Sequence, residues 1–151
     1  MTNASIDGRA LRARVLVVDD EVEIRAMLET RLSFTGHEVW TAGDGLAALE
    51  VLGERRIDVV VSDISMPRMD GLELLARIRA EYPMTRVVMM TGYVTLENAM
   101  ACMRRGALTC IFKPLEDLTE MERAIARAVE DLLHWQEKLR TLQGMKPRAV
   151  R

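Results

Sequence analysis

The chain has 151 residues, a length that fits one domain with a buried core and is short for two. Lys and Arg total 21 against 23 Asp and Glu, so charge gives no reason to expect direct binding to nucleic acid or to an anionic membrane. No apolar run approaches the roughly 20 residues that a membrane-spanning helix needs. Residues 1–14 lack the apolar stretch of a signal peptide, which predicts a cytoplasmic protein.

Five short apolar runs predict the strands of one sheet. They cover residues 15–18, 39–40, 59–61, 87–90 and 110–112. Most are continuous in hydrophobicity and rich in valine, which is the pattern of parallel strands covered on both faces, because strands with one face in water alternate. The sequence therefore predicts a buried parallel sheet.

Amphipathic segments between these runs predict five helices. They cover residues 21–34, 46–52, 72–80 and 95–105, and a fifth helix starts near residue 117. Asp70 and Gly71 introduce the third helix, whose free N–H groups Asp70 can cap. Gly53 and Gly106 are expected to end the second and fourth helices. Alternating strands and helices imply right-handed crossovers, so the predicted fold class is α/β with a doubly wound sheet.

Polar side chains stand at the carboxyl ends of the predicted strands, where ligands gather in such sheets. They are Asp19 and Asp20 after the first strand, Asp63 after the third, Thr91 after the fourth and Lys113 with Pro114 after the fifth. Three clustered carboxylates disfavour one another's ionisation, and a hard cation such as Mg²⁺ relieves that repulsion. Lys113 can stabilise developing negative charge, and Thr91 can hydrogen-bond a phosphoryl oxygen. The set predicts a site for phosphoryl transfer.

These residues lie in motifs that resemble those of the receiver domains of two-component response regulators. The motifs are Val17-Val18-Asp19-Asp20-Glu21, Val61-Ser62-Asp63, Met66-Pro67, Met69-Asp70-Gly71, Thr91-Gly92 and Lys113-Pro114. No single motif is diagnostic, but their ordered combination on the expected strand ends is specific. The resemblance covers residues 14–133 and implies the flavodoxin-like strand order 2-1-3-4-5.

The resemblance implies a role for each residue of the set. Asp63 would take a phosphoryl group from the phosphohistidine of a kinase, and Thr91 and Lys113 would hold the phosphoryl oxygens. Pro114 would follow a cis peptide bond that orients the lysine. Mg²⁺ would be bound by Asp19, Asp20, Asp63 and the backbone carbonyl of Ser65. The protein would thus be a phosphoacceptor that assists its own phosphorylation and dephosphorylation, and not an enzyme.

The resemblance also implies partners. A sensor histidine kinase would phosphorylate the chain, and a downstream protein target would respond to the change. The expected organisation is a stand-alone receiver, similar to the chemotaxis regulators, with no direct contact to nucleic acid and no membrane insertion. One alternative is the amino-terminal receiver of a longer, DNA-binding regulator. Others are a scaffold with an inactive pocket and a phosphohydrolase with an aspartyl nucleophile, although the latter needs two aspartates separated by one residue, whereas Asp19 and Asp20 are adjacent.

The chain departs from the family at the position three residues before Lys113. Many receivers carry an aromatic residue there, whose rotation couples to the conserved threonine, but this chain has Cys110. The aromatic relay is therefore in doubt, and Tyr93 is a candidate substitute, so the expected switch residues are Thr91, Tyr93 and Cys110. Cys102 and Cys110 fit neither a disulfide framework nor a zinc site and are expected to be reduced thiols.

The predicted last helix carries a coiled-coil seam. Apolar residues recur at intervals of three and four at Leu118, Met121, Ile125, Ala128, Leu132, Trp135, Leu139 and Leu142. The first half is expected to pack on the sheet, and the part from Leu132 onward to pair with a partner helix, such as that of a second copy. The predicted boundaries are a flexible leader at 1–13, the receiver at 14–131, a helical extension at 132–143 and a disordered tail at 144–151.

Asp70 and Gly71 are assigned structural roles at the start of the third helix. His37 and His134 are expected to be surface or boundary residues without chemistry.

Overall fold

The computed structural model describes residues 5–6, 9–10, 12–93 and 95–145. Ser5–Ile6 and Arg9–Ala10 form a two-stranded antiparallel pair. The predicted flexible leader falls largely outside the described residues, as does the predicted disordered tail after residue 145, so both stay predictions.

The main sheet has five parallel strands. They are β1 (Arg14–Val18), β2 (Glu38–Ala42), β3 (Val59–Asp63), β4 (Arg86–Thr91) and β5 (Thr109–Phe112). The spatial order is β2-β1-β3-β4-β5, which confirms the predicted doubly wound fold with order 2-1-3-4-5. Val18 pairs with Ser62, and Asp63 pairs with Met90. This register places the carboxyl ends of the three central strands side by side.

Five helices connect and follow the strands. They are α1 (Val22–Phe34), α2 (Gly45–Glu54), α3 (Gly71–Glu81), α4 (Leu96–Arg104) and α5 (Thr119–Gly144). Asp70 caps α3, as predicted, by accepting a hydrogen bond from the N–H of Glu73 at 2.8 Å. The prediction that Gly53 ends α2 is wrong, because Arg55 N–H still donates to Val51 and the helix reaches Glu54. Gly106 has a φ of +85° after α4, which is the backbone conformation that favours glycine.

Two apolar layers cover the sheet, one on each face. Val15, Val17 and Leu28 belong to the layer that α1 and α5 complete, and Leu16 and Leu75 belong to the layer on the side of α2 and α3. Alternate residues of β1 therefore enter opposite layers. This explains why residues 15–18 of the strand are all apolar.

Helix α5 extends beyond the domain on which it packs. Its residues Met121, Ile125, Ala128 and Leu132 are buried, whereas Trp135, Leu139 and Leu142 are 48%, 43% and 63% exposed. The packing of the first half is as predicted. Leu132 was expected to begin the free seam, but it is only 4% exposed, so the seam begins one turn later. No helix within the described ranges combines the length and apolarity needed to cross a membrane.

Candidate site at the carboxyl ends of the strands

Three carboxylates meet at the end of the sheet, as the sequence predicts. Asp19 follows β1, Asp20 begins the next loop and Asp63 ends β3, and one ligand oxygen from each lies within 4.8 Å of the others. Asp19 is fully buried and Asp63 is 6% exposed, while Asp20 faces solvent. The site thus combines two buried carboxylates with one that is exposed to solvent.

Lys113 contributes the positive charge. Its Nζ lies 2.7 Å from Asp19 Oδ2, 3.3 Å from Asp63 Oδ2 and 3.5 Å from Oε1 of Glu21. Burial disfavours the charged lysine, but the hydrogen bond to Asp19 and the negative charges of Asp63 and Asp19 together raise its pKa above the usual 10.5. The peptide bond between Lys113 and Pro114 is cis, as predicted.

Asp63 is held in a confined environment. Burial raises the pKa of its carboxyl above the usual 3.8, and the negative charge of Asp19 raises it too. The positive charge of Lys113 lowers this pKa but does not outweigh burial. The backbone N–H of Ser65 acts in the opposite direction to burial and lowers this pKa. Gly71 passes so close that an added Cβ would lie 2.0 Å from the backbone oxygen of Asp63. Glycine at 71 is therefore required by space at the end of β3.

Thr91 ends β4 beside these groups, and its hydroxyl is engaged with its own loop. It donates to the carbonyl of Tyr93 and accepts from the Tyr93 N–H, both at 3.0 Å. Asn98 on α4 donates to the same carbonyl at 3.2 Å. The Tyr93 side chain is 71% exposed. The structure thus links the Thr91 side chain directly to the backbone of Tyr93. Both residues were predicted to be switch residues.

Cys110 of β5 lies near Cys102 of α4, and the two thiols affect each other's pKa. Both cysteines are free, in agreement with the prediction of reduced thiols. Burial raises the pKa of Cys110 to about 12, so the protonated thiol is the stable form. Cys110 therefore joins β5 to α4 through the interaction of two thiols.

The oxygen ligands of the cluster suit a hard divalent cation. Asp19 and Asp63 share the positive charge of Lys113, but Asp20 has no ion pair among the residues that the structure describes. Carboxylates with an open side fit a cation that retains several waters. The arrangement therefore offers ligands for a metal ion directly beside the Asp63 carboxylate.

Three charged residues near the site were not predicted from the sequence. Arg25 of α1 donates from Nη1 to the backbone oxygen of Asp19 at 2.6 Å. Arg68 in the β3–α3 loop pairs with the buried Asp44, which also caps α2. Their partners lie 6 and 24 residues away in sequence, and arginine and aspartate at such separations form no recognisable motif.

His37 is more buried than predicted. Its Nδ1 accepts from the N–H of Ala13 at 3.1 Å, and its Nε2 lies 3.0 Å from Glu122 Oε2. Although burial opposes the charged carboxylate, the hydrogen bonds from His37 and Thr35 lower the pKa of Glu122. This network joins α5 to the start of β2, and none of its residues belongs to the acidic cluster. His134 is exposed, as predicted.

A family model described as the response regulator receiver domain matches residues 15–126. Regulatory protein AtoC of Escherichia coli strain K12 is 38% identical over 117 residues, which cover 78% of this chain and 25% of AtoC. The DNA-binding transcriptional regulator NtrC of the same strain is 39% identical over 127 residues, covering 84% of this chain and 26% of NtrC. The chain therefore spans about a quarter of the length of these relatives.

Solved structures have the same fold. The signal receiver domain of an HD domain-containing protein from Pseudomonas fluorescens Pf-5 superimposes with a TM-score of 0.77 at 32% identity. The match covers 82% of this chain and 99% of that domain.

Proposed function

Because the chain belongs to the family of response regulator receiver domains, we propose that Asp63 is its phosphoacceptor. The observation that carries the proposal is the position of Asp63, whose carboxylate contacts Lys113 and also belongs to the acidic cluster. Asp19 has the same two neighbours but is fully buried. Asp20 is exposed, but it forms no ion pair with Lys113 among the described residues. Asp63 alone combines both neighbours with partial access to solvent.

The proposed donor is the phosphohistidine of a sensor histidine kinase. An oxygen of Asp63 attacks the phosphorus, the phosphorus–nitrogen bond breaks, and the products are an acyl phosphate and the free kinase histidine. Later attack by water on the phosphorus restores the carboxylate and releases inorganic phosphate. Such transfers need little covalent chemistry from the protein beyond a nucleophile and placed positive charge.

We propose Mg²⁺ as the metal of the acidic cluster, held by Asp19, Asp20, Asp63 and the backbone carbonyl of Ser65. When bound, it would neutralise charge on the phosphoryl oxygens. Lys113 would stabilise the same charge from the side of β5, since its Nζ already lies within 3.3 Å of the acceptor carboxylate. The raised pKa of Lys113 keeps it cationic at neutral pH for this role.

Thr91 and Tyr93 form the proposed switch. To donate to a phosphoryl oxygen, the Thr91 hydroxyl must give up its bond to the Tyr93 carbonyl. The loop that carries Tyr93 would then be released from one of its anchors and change the surface around this exposed ring. A downstream protein target would distinguish the two forms. Cys110 would contribute by its contact with α4 and not by ring rotation.

We propose that the end of α5 pairs with the same segment of a second copy. Trp135, Leu139 and Leu142 lie on one stripe of the helix and leave apolar surface in water. Their spacing of four and three residues is that of a two-stranded coiled coil. Pairing of identical stripes would cover both of them.

A receiver of a longer regulator fits the comparisons as well as a stand-alone receiver does, because the named relatives are about four times as long. In that case α5 would connect the receiver to another domain. DNA binding is stated for NtrC, and for this chain we keep the proposal that the receiver fold itself does not contact nucleic acid.

The proposal is tested by incubating the chain with acetyl phosphate and Mg²⁺ and recording intact mass and light scattering. We expect the mass of one added phosphoryl group in the wild type and no addition in Asp63→Asn. Equal modification of both proteins would contradict the assignment of Asp63.

A further inference from the structure

Arg68 has a backbone conformation that is unusual for a residue with a side chain. Its φ is 66°, and within 12–93 and 95–145 it is the only residue other than glycine with a positive φ. The N–H of Met69 donates to the carbonyl of Pro67 at 2.8 Å, so Arg68 is the central residue of a three-residue γ-turn. A γ-turn with positive φ is rare and strained, and it persists where surrounding contacts hold it.

Two contacts hold this turn against α2. The Nη2 of Arg68 donates to Oδ2 of Asp44, a carboxylate that is only 7% exposed and whose other oxygen accepts from the N–H of Ala47 at 2.8 Å. The next side chain, Met69, is buried against Gly45, where an added Cβ would lie 2.8 Å from the Cβ of Met69. The turn is thus attached to the first residues of α2 by one ion pair and one apolar contact.

The turn lies in the loop that leads away from the proposed phosphoacceptor. This loop leaves β3 at Asp63 and closes where the N–H of Gly71 donates to the carbonyl of Ile64 at 2.7 Å. Within it, the backbone N–H of Ser65 lies close enough to the Asp63 carboxylate to lower its pKa, against the effect of burial. Because both ends of the loop are fixed, the γ-turn determines how residues 65–67 are placed relative to Asp63.

We propose that Arg68 is a positioning residue for the phosphoacceptor site. Its ion pair with Asp44 holds the γ-turn, and the turn keeps the backbone groups of Ser65 at Asp63 and the acidic cluster. The Arg68 side chain is 70% exposed, but Asp44 is only 7% exposed, so removal of Arg68 takes the ion-pair partner from a buried carboxylate. The inference rests on the proposed function, because it concerns the metal and phosphoryl site of that function.

The test compares Arg68→Ala, Arg68→Gly and Arg68→Lys with the wild type. Glycine accepts the positive φ but lacks the guanidinium, whereas lysine keeps a charge that can reach Asp44. Arg77→Ala is the matched control, because Arg77 forms a surface ion pair with Glu81 on α3. Mn²⁺ binding is measured from the electron paramagnetic resonance of the free ion, and the Ser65 amide is followed by NMR in the metal-free chain.

We expect Arg68→Ala and Arg68→Gly to weaken Mn²⁺ binding by about tenfold, a loss typical of removing a group that orients metal ligands. The Ser65 amide signal should shift in both variants, and Arg68→Lys should restore most of the binding and of the signal. Arg77→Ala should match the wild type. Wild-type affinity together with an unmoved Ser65 signal in Arg68→Gly would overturn the inference.

If Arg68→Ala does not fold by circular dichroism, the comparison of Arg68→Gly with Arg68→Lys decides, and equal affinities would overturn the inference. If the wild type does not bind Mn²⁺, the proposed metal site is wrong, and the Ser65 signal in the metal-free variants still tests the positioning role of Arg68.

Discussion

The Nζ of Lys113 lies 2.7 Å from Oδ2 of Asp19, which is fully buried. The lysine side chain is itself only 11% exposed. The pair joins the ends of β1 and β5, which have β3 and β4 between them in the sheet. It also places one ammonium group between the two most buried carboxylates of the site.

Lys113→Met should destabilise the chain in the absence of divalent ions. Removing one partner of a buried ion pair costs about 3–5 kcal/mol, because the remaining charge has no compensation. Added Mg²⁺ should recover more stability in this variant than in the wild type, since a bound cation would neutralise the same carboxylates. Urea unfolding with and without Mg²⁺ measures both effects. Equal stabilisation of the two proteins by Mg²⁺ would contradict a shared site.

Asp63→Asn should stabilise the metal-free chain at neutral pH. Burial raises the pKa of Asp63 in the folded chain, so the contribution of this group to stability is full below 3.8 and is lost as pH rises through the folded pKa. An amide stays neutral and avoids that loss. We therefore expect a higher unfolding midpoint for Asp63→Asn than for the wild type at pH 7, and we expect this gain to disappear in acid.

Thermal unfolding with a chelator present, at several pH values, checks this prediction. Glu50→Gln, which neutralises an exposed carboxylate of α2, is the control and should leave the midpoint nearly unchanged. A lower midpoint for Asp63→Asn at pH 7 would show that Lys113 outweighs burial and would contradict the prediction.

Gly71→Ala should be severely destabilising. Its Cβ would lie 2.0 Å from the oxygen of Asp63 and 2.8 Å from the Cα of Ile64, so backbone must move. Overpacking typically costs about 1–3 kcal/mol, and we expect the upper end or more together with loss of phosphorylation. Chemical unfolding and acetyl phosphate labelling measure the two effects.

Gly53→Ala is the matched control, since an added Cβ meets nothing within 4 Å there. Gly53 lies inside α2, where alanine is favoured over glycine by roughly 0.5–1 kcal/mol, so this variant should gain stability. Equal effects of the two substitutions would contradict the crowding argument at Gly71.

Leu139→Glu should weaken self-association if α5 pairs with a second copy. The carboxylate would be placed on the apolar stripe, whereas Thr141→Glu introduces the same group beside it. Light scattering over a range of concentrations should show a smaller average mass for Leu139→Glu only. A monomeric wild type, or equal behaviour of the two variants, would remove the homodimer proposal.

The strands and most helix ends could be predicted from sequence because their signals are local. Valine runs, the Asp70 cap and the glycine after α4 each act within a few residues. The end of α2 could not, because glycine costs a helix only about 1 kcal/mol and the helical hydrogen bond from Arg55 N–H to Val51 still forms beyond it. Leu132 was misplaced for a related reason, since heptad spacing does not say where the domain surface ends.

The residues of the site likewise fall into those that the sequence predicts and those that it does not. Asp19, Asp63 and Lys113 stand at strand ends, and a parallel sheet brings strand ends together whatever the loops do. The pairing of Arg68 with Asp44 and the burial of His37 depend on which loops and helices meet, and their partners lie 24 to 85 residues away. No pattern in the sequence encodes such contacts.

The central claim is that Asp63, and not another carboxylate of the cluster, carries the phosphoryl group. Reducing the acetyl phosphate-treated chain with borohydride converts an aspartyl phosphate into homoserine, which peptide mass spectrometry locates. We expect homoserine at position 63 and aspartate at positions 19 and 20. Homoserine at 19 or 20, or a phosphorylated chain in which position 63 is unchanged, would contradict the account.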